Sequence, residues 1–287
     1  MHDIFYFTDV HGMYDLYKAA IDYCKEQDPE AMIIFGGDAC DRGPDGYKIM
    51  KELLDNPKVL YLKGNHEDMF VQAAYAIAHE YKGALDYDNI FGYLYDQEIR
   101  DYGNPYVQSC IYNGGFSTLR DWMKDGMPRD IIDRIDHLPI TFSYDNIDFC
   151  HAGGYYFAFK RVADDEYEDM QIDKDDFMDT IWDRFYLTTG WQSGRICVFG
   201  HTPTIHLQAI YYGKDKSLEN AHPCAYIGRA NDRWTGKKID MDTGAFASGK
   251  LYVLNVLTMQ AQGFKDTDIG NEEIRKHDIE KIEVIQF

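Results

Sequence analysis

Short apolar runs recur along the chain, and five of them end directly in glycine, histidine or acidic residues. Four or five apolar residues bounded by turn-forming residues are typical of a strand that is covered on both faces. The clearest run, residues 31–35, leads into Gly36 and Gly37 and then into Asp38 and Asp41. The sequence therefore predicts buried strands at residues 4–7, 31–35, 59–62, 147–150 and 196–199.

Between these runs, apolar side chains recur at helical spacing, which predicts crossover helices. Residues 67–137 are largely helical in pattern and rich in tyrosine. The predicted helices are residues 14–26, 46–54, 69–79, 118–123 and 131–135.

After Trp182, apolar runs with β-branched and aromatic residues return, and these residue types favour strands. The sequence predicts a second region of sheet there, which ends in a charged tail. The predicted strands are residues 208–212, 225–227, 251–257 and 282–287.

The chain has 287 residues, of which 45% are hydrophobic, enough for one large α/β domain with a sizeable core. We expect a single domain over residues 1–287, with a helical cap-like insertion at about residues 68–137. The acidic loop at about residues 155–180 is expected to be a solvated face or a lid, although an inert surface loop is the simpler explanation of its charges.

The formal net charge of −20 and the pI near 4.7 exclude some partners. A chain this acidic repels polyanions, so we expect no binding to nucleic acid or to membrane phospholipid. The N-terminal region has neither a basic segment nor a long apolar run, which favours a cytoplasmic protein. The six cysteines include no C-x-x-C pair, and we expect reduced, mostly buried thiols.

Polar side chains with metal-binding chemistry follow the predicted buried strands. A lone histidine after a strand is more often a structural hydrogen-bonding group than a ligand. Three such histidines, each beside Asp, Asn or Gly, are hard to explain in that way. Because ligands bind beyond the carboxyl ends of strands in α/β sheets, we expect these residues to converge on one site. The candidate ligands are Asp9, His11, Asp38, Asn65, His151 and His201.

The chemistry of this set indicates the kind of metal and of substrate. Mixed nitrogen and oxygen ligands suit manganese, iron, zinc or cobalt better than calcium, whose sites contain only oxygen. Only two of the candidates are carboxylates, Asp9 and Asp38. Two divalent ions would therefore keep a net positive charge, which attracts a phosphate dianion.

Five motifs, in the same order along the chain, resemble those of the calcineurin-like metallophosphoesterases. The closest likeness is to the phosphoprotein phosphatase branch, which includes serine/threonine phosphatases of bacteria and bacteriophages. Residues 113–115, Trp182 and residues 242–245 also resemble family segments. Thr8 stands where the family usually has glycine, and residues 68–110 match poorly. The motifs are Asp9-Val10-His11-Gly12, Gly37-Asp38 with Asp41-Arg42-Gly43, Gly64-Asn65-His66-Glu67, His151-Ala152-Gly153 and Gly200-His201-Thr202-Pro203.

The resemblance implies a four-layer α/β/β/α sandwich, with two mixed sheets flanked by helices and two divalent metal ions at the top of the sheets. It assigns Asp9, His11 and Asp38 to the first metal. Asp38 would bridge to the second metal, and Asn65, His151 and His201 would complete it. Manganese is the metal that we expect first, with iron, zinc or cobalt as alternatives.

The resemblance also implies the catalytic roles. A hydroxide bridging the two metals would attack phosphorus in line. His66 would be the general acid for the leaving alkoxide, with Asp41 as its orienting partner. Arg42 and Arg184 would bind the phosphoryl oxygens, and Lys63 would add a third positive charge.

The function expected on this basis is metal-dependent hydrolysis of phosphomonoesters, on a phosphorylated protein or a small phosphoester, by a serine/threonine protein phosphatase. Hydrolysis of diadenosine tetraphosphate is the enzymatic alternative. The relatives with that activity tend to have aspartate where Glu67 stands and to depart from the triplet at residues 41–43. A non-catalytic metal-binding scaffold is the third possibility, but every ligand position is filled.

Overall fold

Two mixed β-sheets form the centre of the fold in the computed structural model of this chain. The structure describes residues 2–100, 103–153, 159–163, 166–169, 180–184, 187, 195–213, 216–226, 237–270 and 276–287. The strands are β1 (Ile4–Phe7), β2 (Met32–Phe35), β3 (Val59–Tyr61), β4 (Thr141–Tyr144), β5 (Ile147–Cys150), β6 (Phe159–Ala163), β7 (Glu166–Asp169), β8 (Ile196–Phe199), β9 (Cys224–Tyr226), β10 (Lys237–Asp240), β11 (Lys250–Asn255), β12 (Gln260–Asp266) and β13 (Ile279–Gln286).

The first sheet has six strands in the order β13-β12-β11-β1-β2-β3. Its strands β1, β2 and β3 are parallel, whereas β11, β12 and β13 continue it as an antiparallel meander. The second sheet has five strands in the order β4-β5-β8-β10-β9, of which β5, β8 and β10 are parallel. Each sheet therefore contributes three parallel strands whose carboxyl ends lie at one edge.

Helices connect and cover these strands. Those predicted at residues 14–26 and 46–54 are present as the crossovers between the first three strands. The helices are α1 (Tyr14–Gln27), α2 (Gly46–Asp55), α3 (Asn65–Glu80), α4 (Tyr87–Ile99), α5 (Pro105–Tyr112), α6 (Phe116–Lys124), α7 (Arg129–Asp136), α8 (Thr204–Tyr212) and α9 (Ala245–Ser248).

Alternate side chains of β1 fill two different cores, because successive residues of a strand point to opposite faces. Tyr6 packs against Phe149 of the second sheet, with ring centroids 5.4 Å apart. Phe5 and Phe7 lie on the other face, in the core shared with the helices. Beyond the second sheet, Leu207 of α8 packs on that sheet's outer face. The layers are thus helix, sheet, sheet and helix, and the predicted fold class is confirmed.

The strand predicted at residues 208–212 is wrong, because these residues form the second half of α8. A short apolar run does not distinguish a buried strand from a buried helix by its period. Pro203 precedes the first helical residue and Gly213 follows the last one with φ of 61°. Both are ordinary helix boundary residues, and they define the segment more reliably than its apolar content.

The helical region after Asn65 matches its prediction in type, but α3 begins earlier than predicted. Its first residue is Asn65 rather than Met69, because Glu67 accepts a hydrogen bond from the backbone N–H of Gly64 and caps the helix. Whether residues 68–137 act as a cap stays a prediction. Most of the acidic segment at 155–180 lies outside the described residues, apart from the paired strands β6 and β7 and Thr180.

All six cysteines are buried thiols outside any disulfide, as expected. Over the part of the chain that the structure describes, every helix is too short or too polar to cross a membrane.

Candidate metal centre

The candidate ligands come together where the parallel strands of both sheets end. Asp9 follows β1, Asp38 follows β2, and Asn65 opens α3 after β3. From the second sheet, His151 directly follows β5 and His201 follows β8. All these side chains are buried, so the cluster lies in a site of low solvent access.

The backbone at this site is strained. Nine described non-glycine residues have a positive φ, a region that side chains with a Cβ rarely adopt, and six of them belong to the candidate loops. Such conformations cost free energy and persist only where the surrounding structure enforces them, which is typical of functional sites. The six are Asp9, His11, Asp38, Asp41, Arg42 and His201.

Asp38 lies at the centre of the cluster. Its Oδ2 is 3.5 Å from Nε2 of His11, and its Oδ1 is 3.3 Å from Nε2 of His151. The backbone N–H of His66 also donates to Oδ1, at 3.1 Å. Because its two oxygens face different histidines, this carboxylate can serve two adjacent ions, as the bridging assignment requires.

Asn65 joins two histidines from the second sheet. Its Oδ1 lies 3.0 Å from Nε2 of His151 and 2.9 Å from Nδ1 of His201. The remaining nitrogen of His201, Nε2, is buried and has no hydrogen-bond partner among the described residues. Asp38, His151 and His201 form one group whose ligand atoms lie within 4.8 Å of one another.

Backbone carbonyls fix the tautomers of two of these histidines. Nδ1 of His11 faces the carbonyl oxygen of Cys40 at 2.9 Å, and Nδ1 of His151 faces that of Gly36 at 2.9 Å. A carbonyl only accepts, so each Nδ1 carries a proton and Nε2 is the nitrogen that faces Asp38. Nε2 and a carboxylate attract each other only through a cation between them, either a proton or a metal ion, and this donor set fits a metal ion.

The electrostatics of the cluster point the same way. Burial lowers the pKa of His151, but the charge of Asp38 and other carboxylates outweighs burial and raises it to about 10. Burial raises the pKa of Asp38, and the neighbouring imidazoles outweigh that effect and hold it well below its usual range. The two shifts are one mutual effect, because a positive charge on His151 and the negative charge on Asp38 stabilise each other. Burial instead lowers the pKa of His11 and of His201 well below the usual range.

A model of the calcineurin-like phosphoesterase family matches residues 2–205. The chain belongs to the calcineurin-like phosphoesterase family. The resemblance read from the five motifs is thereby confirmed. Members of this family are hydrolases that act on phosphorylated substrates with a binuclear divalent metal centre, and this phosphoesterase has His and Asp groups that could hold the metal.

Several solved structures are similar at low identity. A "putative diadenosine tetraphosphatase" is 12% identical, over 98% of this chain and 93% of that one, with a TM-score of 0.47. A cold-active protein-tyrosine phosphatase from Shewanella sp. is 15% identical, over 92% and 77%, with a TM-score of 0.44.

A protein serine/threonine phosphatase from Saccharomyces cerevisiae is 13% identical, over 100% of this chain and 81% of that one, with a TM-score of 0.43. The three names give three different substrates, and none of them decides the substrate of this phosphoesterase. No curated protein matches the chain.

Asp9 is placed differently from the other candidate ligands of this phosphoesterase. Its carboxylate accepts a hydrogen bond from Thr8 Oγ1 at 2.6 Å and from the backbone N–H of His201 at 3.2 Å. The second group of ligand atoms within 4.8 Å contains His11, Asp38 and His66 rather than Asp9. The assignment of Asp9 to the first metal therefore stays a prediction, and Thr8 is the residue that orients it.

His66 lies at the edge of the cluster, in contact with its predicted partner. Nδ1 of His66 is 2.8 Å from Oδ2 of Asp41, and both side chains are buried. Nε2 of the same ring is 3.4 Å from a guanidinium nitrogen of Arg42. The geometry thus places a proton-bearing ring between a carboxylate and an exposed cation.

The three predicted phosphate-binding cations have different surroundings. Arg42 is exposed, and its backbone N–H donates to the carbonyl of Gly114 at 2.9 Å. Arg184 is also exposed, and it follows Trp182, whose ring centroid lies 6.2 Å from that of His201. Lys63 is buried and donates to the backbone carbonyl of Asp136 at 2.6 Å, and its expected role at the phosphate stays a prediction.

Glu67 belongs to a predicted motif, but sequence reasoning did not identify its structural role. Its buried carboxylate accepts hydrogen bonds from the backbone N–H groups of Asp38, Ala39 and Gly64, each at 2.8 Å. The hydroxyl of Tyr61 donates to it as well, at 2.7 Å. Glu67 thereby joins the loop after β2 to the loop after β3. The motif Gly-Asn-His-Glu carried this signal, but only as a family resemblance.

Asp242 is the second such residue, because the sequence placed it in a family-like segment but gave it no role. It follows β10, is buried, and accepts a hydrogen bond from the backbone N–H of Gly244 at 2.7 Å. Burial raises the pKa of Asp242 to about 6. Burial and then the charge of Asp242 raise the pKa of Asp9. Asp242 thus acts on a candidate ligand from the third parallel strand of the second sheet.

Proposed function

We propose that this phosphoesterase is a metal-dependent phosphomonoester hydrolase, and specifically a serine/threonine protein phosphatase. The observation that carries the proposal is the buried pair of His66 and Asp41 beside the ligand cluster, 2.8 Å apart. An alkoxide is a poor leaving group and needs a proton, whereas an internal phosphate is a much weaker base. A dedicated proton donor therefore favours an alkyl phosphate over a polyphosphate.

The residues of the cluster would hold two divalent ions, with Asp38 shared between them. When bound, the ions would neutralise the phosphoryl oxygens and activate the attacking water. Manganese is the metal that we propose, with iron, zinc and cobalt as alternatives. The proposed ligands are Asp9, His11, Asp38, Asn65, His151 and His201.

His66 would give its proton to the leaving oxygen. Asp41 only accepts hydrogen bonds when ionised, so Nδ1 of His66 keeps its proton and Nε2 holds the transferable one. Burial lowers the pKa of His66, but the carboxylates of Asp38 and Asp41 outweigh burial and raise it. The charge of Arg42 lowers the pKa of His66 in turn, but the net shift is upward and favours the protonated ring that a general acid requires.

Arg42 would bind the phosphoryl group next to this proton donor. Its guanidinium lies beside Nε2 of His66, and the hydrogen bond to Gly114 fixes its backbone in the left-handed conformation, with φ of 64°. A planar guanidinium matches two phosphate oxygens at once. Arg184 is proposed as the second phosphate-binding arginine.

The number of cations at the site supports a monoester. Arg42 and Arg184 suffice for one phosphate group, and Lys63 is held by Asp136 instead. A dinucleoside polyphosphate would bring several further charges into a protein with a net charge of −20. Because long-range repulsion is screened beyond about 8 Å at physiological salt, the cations at the pocket decide most of the difference.

A comparison of substrates tests this proposal. With saturating manganese, we expect kcat/KM on a phosphoserine or phosphothreonine peptide to exceed that on diadenosine tetraphosphate by at least about tenfold. A phosphotyrosine peptide, measured alongside, reports tolerance of an aryl ester. A preference for the dinucleotide would overturn the protein-phosphatase proposal and leave the metal chemistry in place.

A further inference from the structure

Helix α4 exposes a row of large apolar side chains at every fourth position. Tyr87, Phe91, Tyr95 and Ile99 are between 41% and 58% exposed. Residues four apart lie on the same face of a helix, so the four form one continuous surface, which we name the α4 stripe. Contiguous exposed apolar patches of this kind mark interaction sites.

The rings of the α4 stripe are held in order by one another. The centroids of Tyr87 and Phe91 are 5.9 Å apart with planes at 22°, and those of Phe91 and Tyr95 are 6.1 Å apart at 9°. Stacked rings of this kind lose little conformational freedom when a partner covers them. The stripe is therefore preorganised for binding.

The stripe is separate from the residues that hold α4 on the protein. Ile90 and Leu94, on the neighbouring face of the helix, are fully buried in the core. The fold thus has its own anchors in α4 and does not depend on burial of Tyr95 or Ile99. Substitutions at those two exposed positions should leave the fold intact.

The stripe is continuous with the proposed phosphate-binding loop. Phe91 contacts Phe116 at the start of α6, with ring centroids 5.5 Å apart. Phe116 comes two residues after Gly114, whose carbonyl oxygen accepts a hydrogen bond from the backbone N–H of Arg42. Tyr112, two residues before Gly114, is 91% exposed at the same rim. A polymer bound at Arg42 can therefore reach the stripe.

The charges beside the stripe select among possible occupants. Helix α4 contains Asp88, Asp96 and Glu98, and these carboxylates outnumber the two cations that the structure describes beside the stripe. The cations are Arg100, which pairs with Asp96, and Lys124, which lies over the ring of Tyr87. A second copy of this acidic chain, or a polyphosphate, would meet like charge there, which disfavours both. A polypeptide with apolar and basic side chains complements the stripe and its carboxylates.

We propose that the α4 stripe binds the polypeptide that flanks the phosphorylated residue of the substrate, through apolar and basic side chains. This inference rests on the proposed function. From Tyr87 to Ile99 the helix spans about 18 Å at 1.5 Å per residue. An extended peptide covers that length with about five residues at 3.3 Å each. The stripe thus selects substrates by sequence outside the phosphorylated residue.

The test compares substrates on two matched variants. The first combines Tyr95→Ser with Ile99→Ser, and the control is Val284→Ser on β13, where the side chain is 56% exposed. The substrates are a phosphoserine peptide flanked by arginine and leucine, the same peptide flanked by aspartate and glycine, and p-nitrophenyl phosphate. We expect the stripe variant to lower the ratio of kcat/KM on the basic peptide to that on p-nitrophenyl phosphate by about tenfold, through KM. The control should keep this ratio.

An unchanged ratio in the stripe variant, or an equal loss on the acidic peptide, would overturn the inference. A wild-type dimer that the stripe variant converts to monomer would assign the surface to a second copy and overturn it as well. Binding of the unphosphorylated basic peptide, followed by fluorescence anisotropy, separates this inference from the proposed function. If the enzyme hydrolyses no phosphopeptide, the proposed function fails. The inference about the stripe is still tested in that case, because the stripe variant should lose binding of the unphosphorylated basic peptide and the Val284→Ser control should keep it.

Discussion

The strand-end loops and helix α4 differ in the exposure of their side chains. The candidate ligands in the loops are buried, whereas the apolar stripe of α4 is exposed. Asp38, His66 and His151 are at most 2% exposed, whereas the α4 stripe is between 41% and 58% exposed. The loops are held by backbone hydrogen bonds and by Glu67, so their side chains have little freedom. Chemistry is thus fixed by buried groups, while the exposed stripe can change without moving a ligand.

Metal removal acts on the strand-end loops and leaves the α4 stripe unchanged. Among the predictions, we expect it to have the largest effect on turnover. We expect chelation with EDTA to lower turnover by at least about 10³-fold, because neutralisation of the phosphoryl charge is lost. Manganese should restore turnover best among manganese, iron, zinc and cobalt, measured with p-nitrophenyl phosphate. Full turnover of thoroughly stripped protein would contradict the assignment of the cluster.

Glu67→Gln tests how strongly Glu67 holds the strand-end loops, because the substitution weakens its hydrogen bonds to their backbone N–H groups without changing side-chain size. One acceptor oxygen becomes an amide donor that faces further donors, so we expect a loss of about 3 kcal/mol in the free energy of unfolding. Turnover should fall as well. Glu52→Gln is the control, because among the described residues Glu52 accepts one hydrogen bond, from the hydroxyl of Tyr14 on α1. We expect the control to lose less than about 1 kcal/mol. Similar losses in both variants, measured by urea unfolding, would remove the special role of Glu67.

His277→Gln tests a residue outside the strand-end loops and α4, and its loss in the free energy of unfolding serves as the reference for the other variants. The hydrogen bond to Asp266 at 2.6 Å raises the pKa of His277. A raised folded-state pKa stabilises the protein below the unfolded pKa of about 6.5, and that stability is lost as pH rises through the folded value. We expect the variant to lose about 1 kcal/mol at pH 6 and much less at pH 9, by urea unfolding. Equal losses at both values would mean that packing, not charge, holds His277.

Sequence patterns predicted the buried strands of the site well, because residues such as those at 31–35 are apolar on both faces. They failed for β10, where a buried lysine and a buried aspartate interrupt the pattern. Burial lowers the pKa of Lys238 to about 7, which shows how unusual that environment is. Because β10 was missed, residues 242–245 were noted only as a family-like segment, and Asp242 was not assigned a position beside the candidate ligands.

Spatial relations account for the rest. The apolar run in α8 could be helix or strand, and only its boundary residues distinguish the two. The role of Glu67 depends on N–H groups from two loops that are far apart in sequence. Lys63 directly precedes the motif that begins at Gly64, yet its side chain turns to Asp136. The sequence could not show that the α4 stripe is exposed, because the same spacing of aromatic residues also predicts a buried helix face.

The most direct test of the account is the proton donor. His66→Asn should lower kcat/KM on a phosphoserine peptide by about 10² to 10⁴, because an alkoxide needs the proton that Nε2 supplies. The loss on p-nitrophenyl phosphate should be much smaller, because nitrophenolate leaves without a proton. The two rates are measured side by side under saturating manganese, with bound metal quantified in both proteins. Equal losses on the two substrates at equal metal content would contradict the account and assign His66 a structural or metal-positioning role.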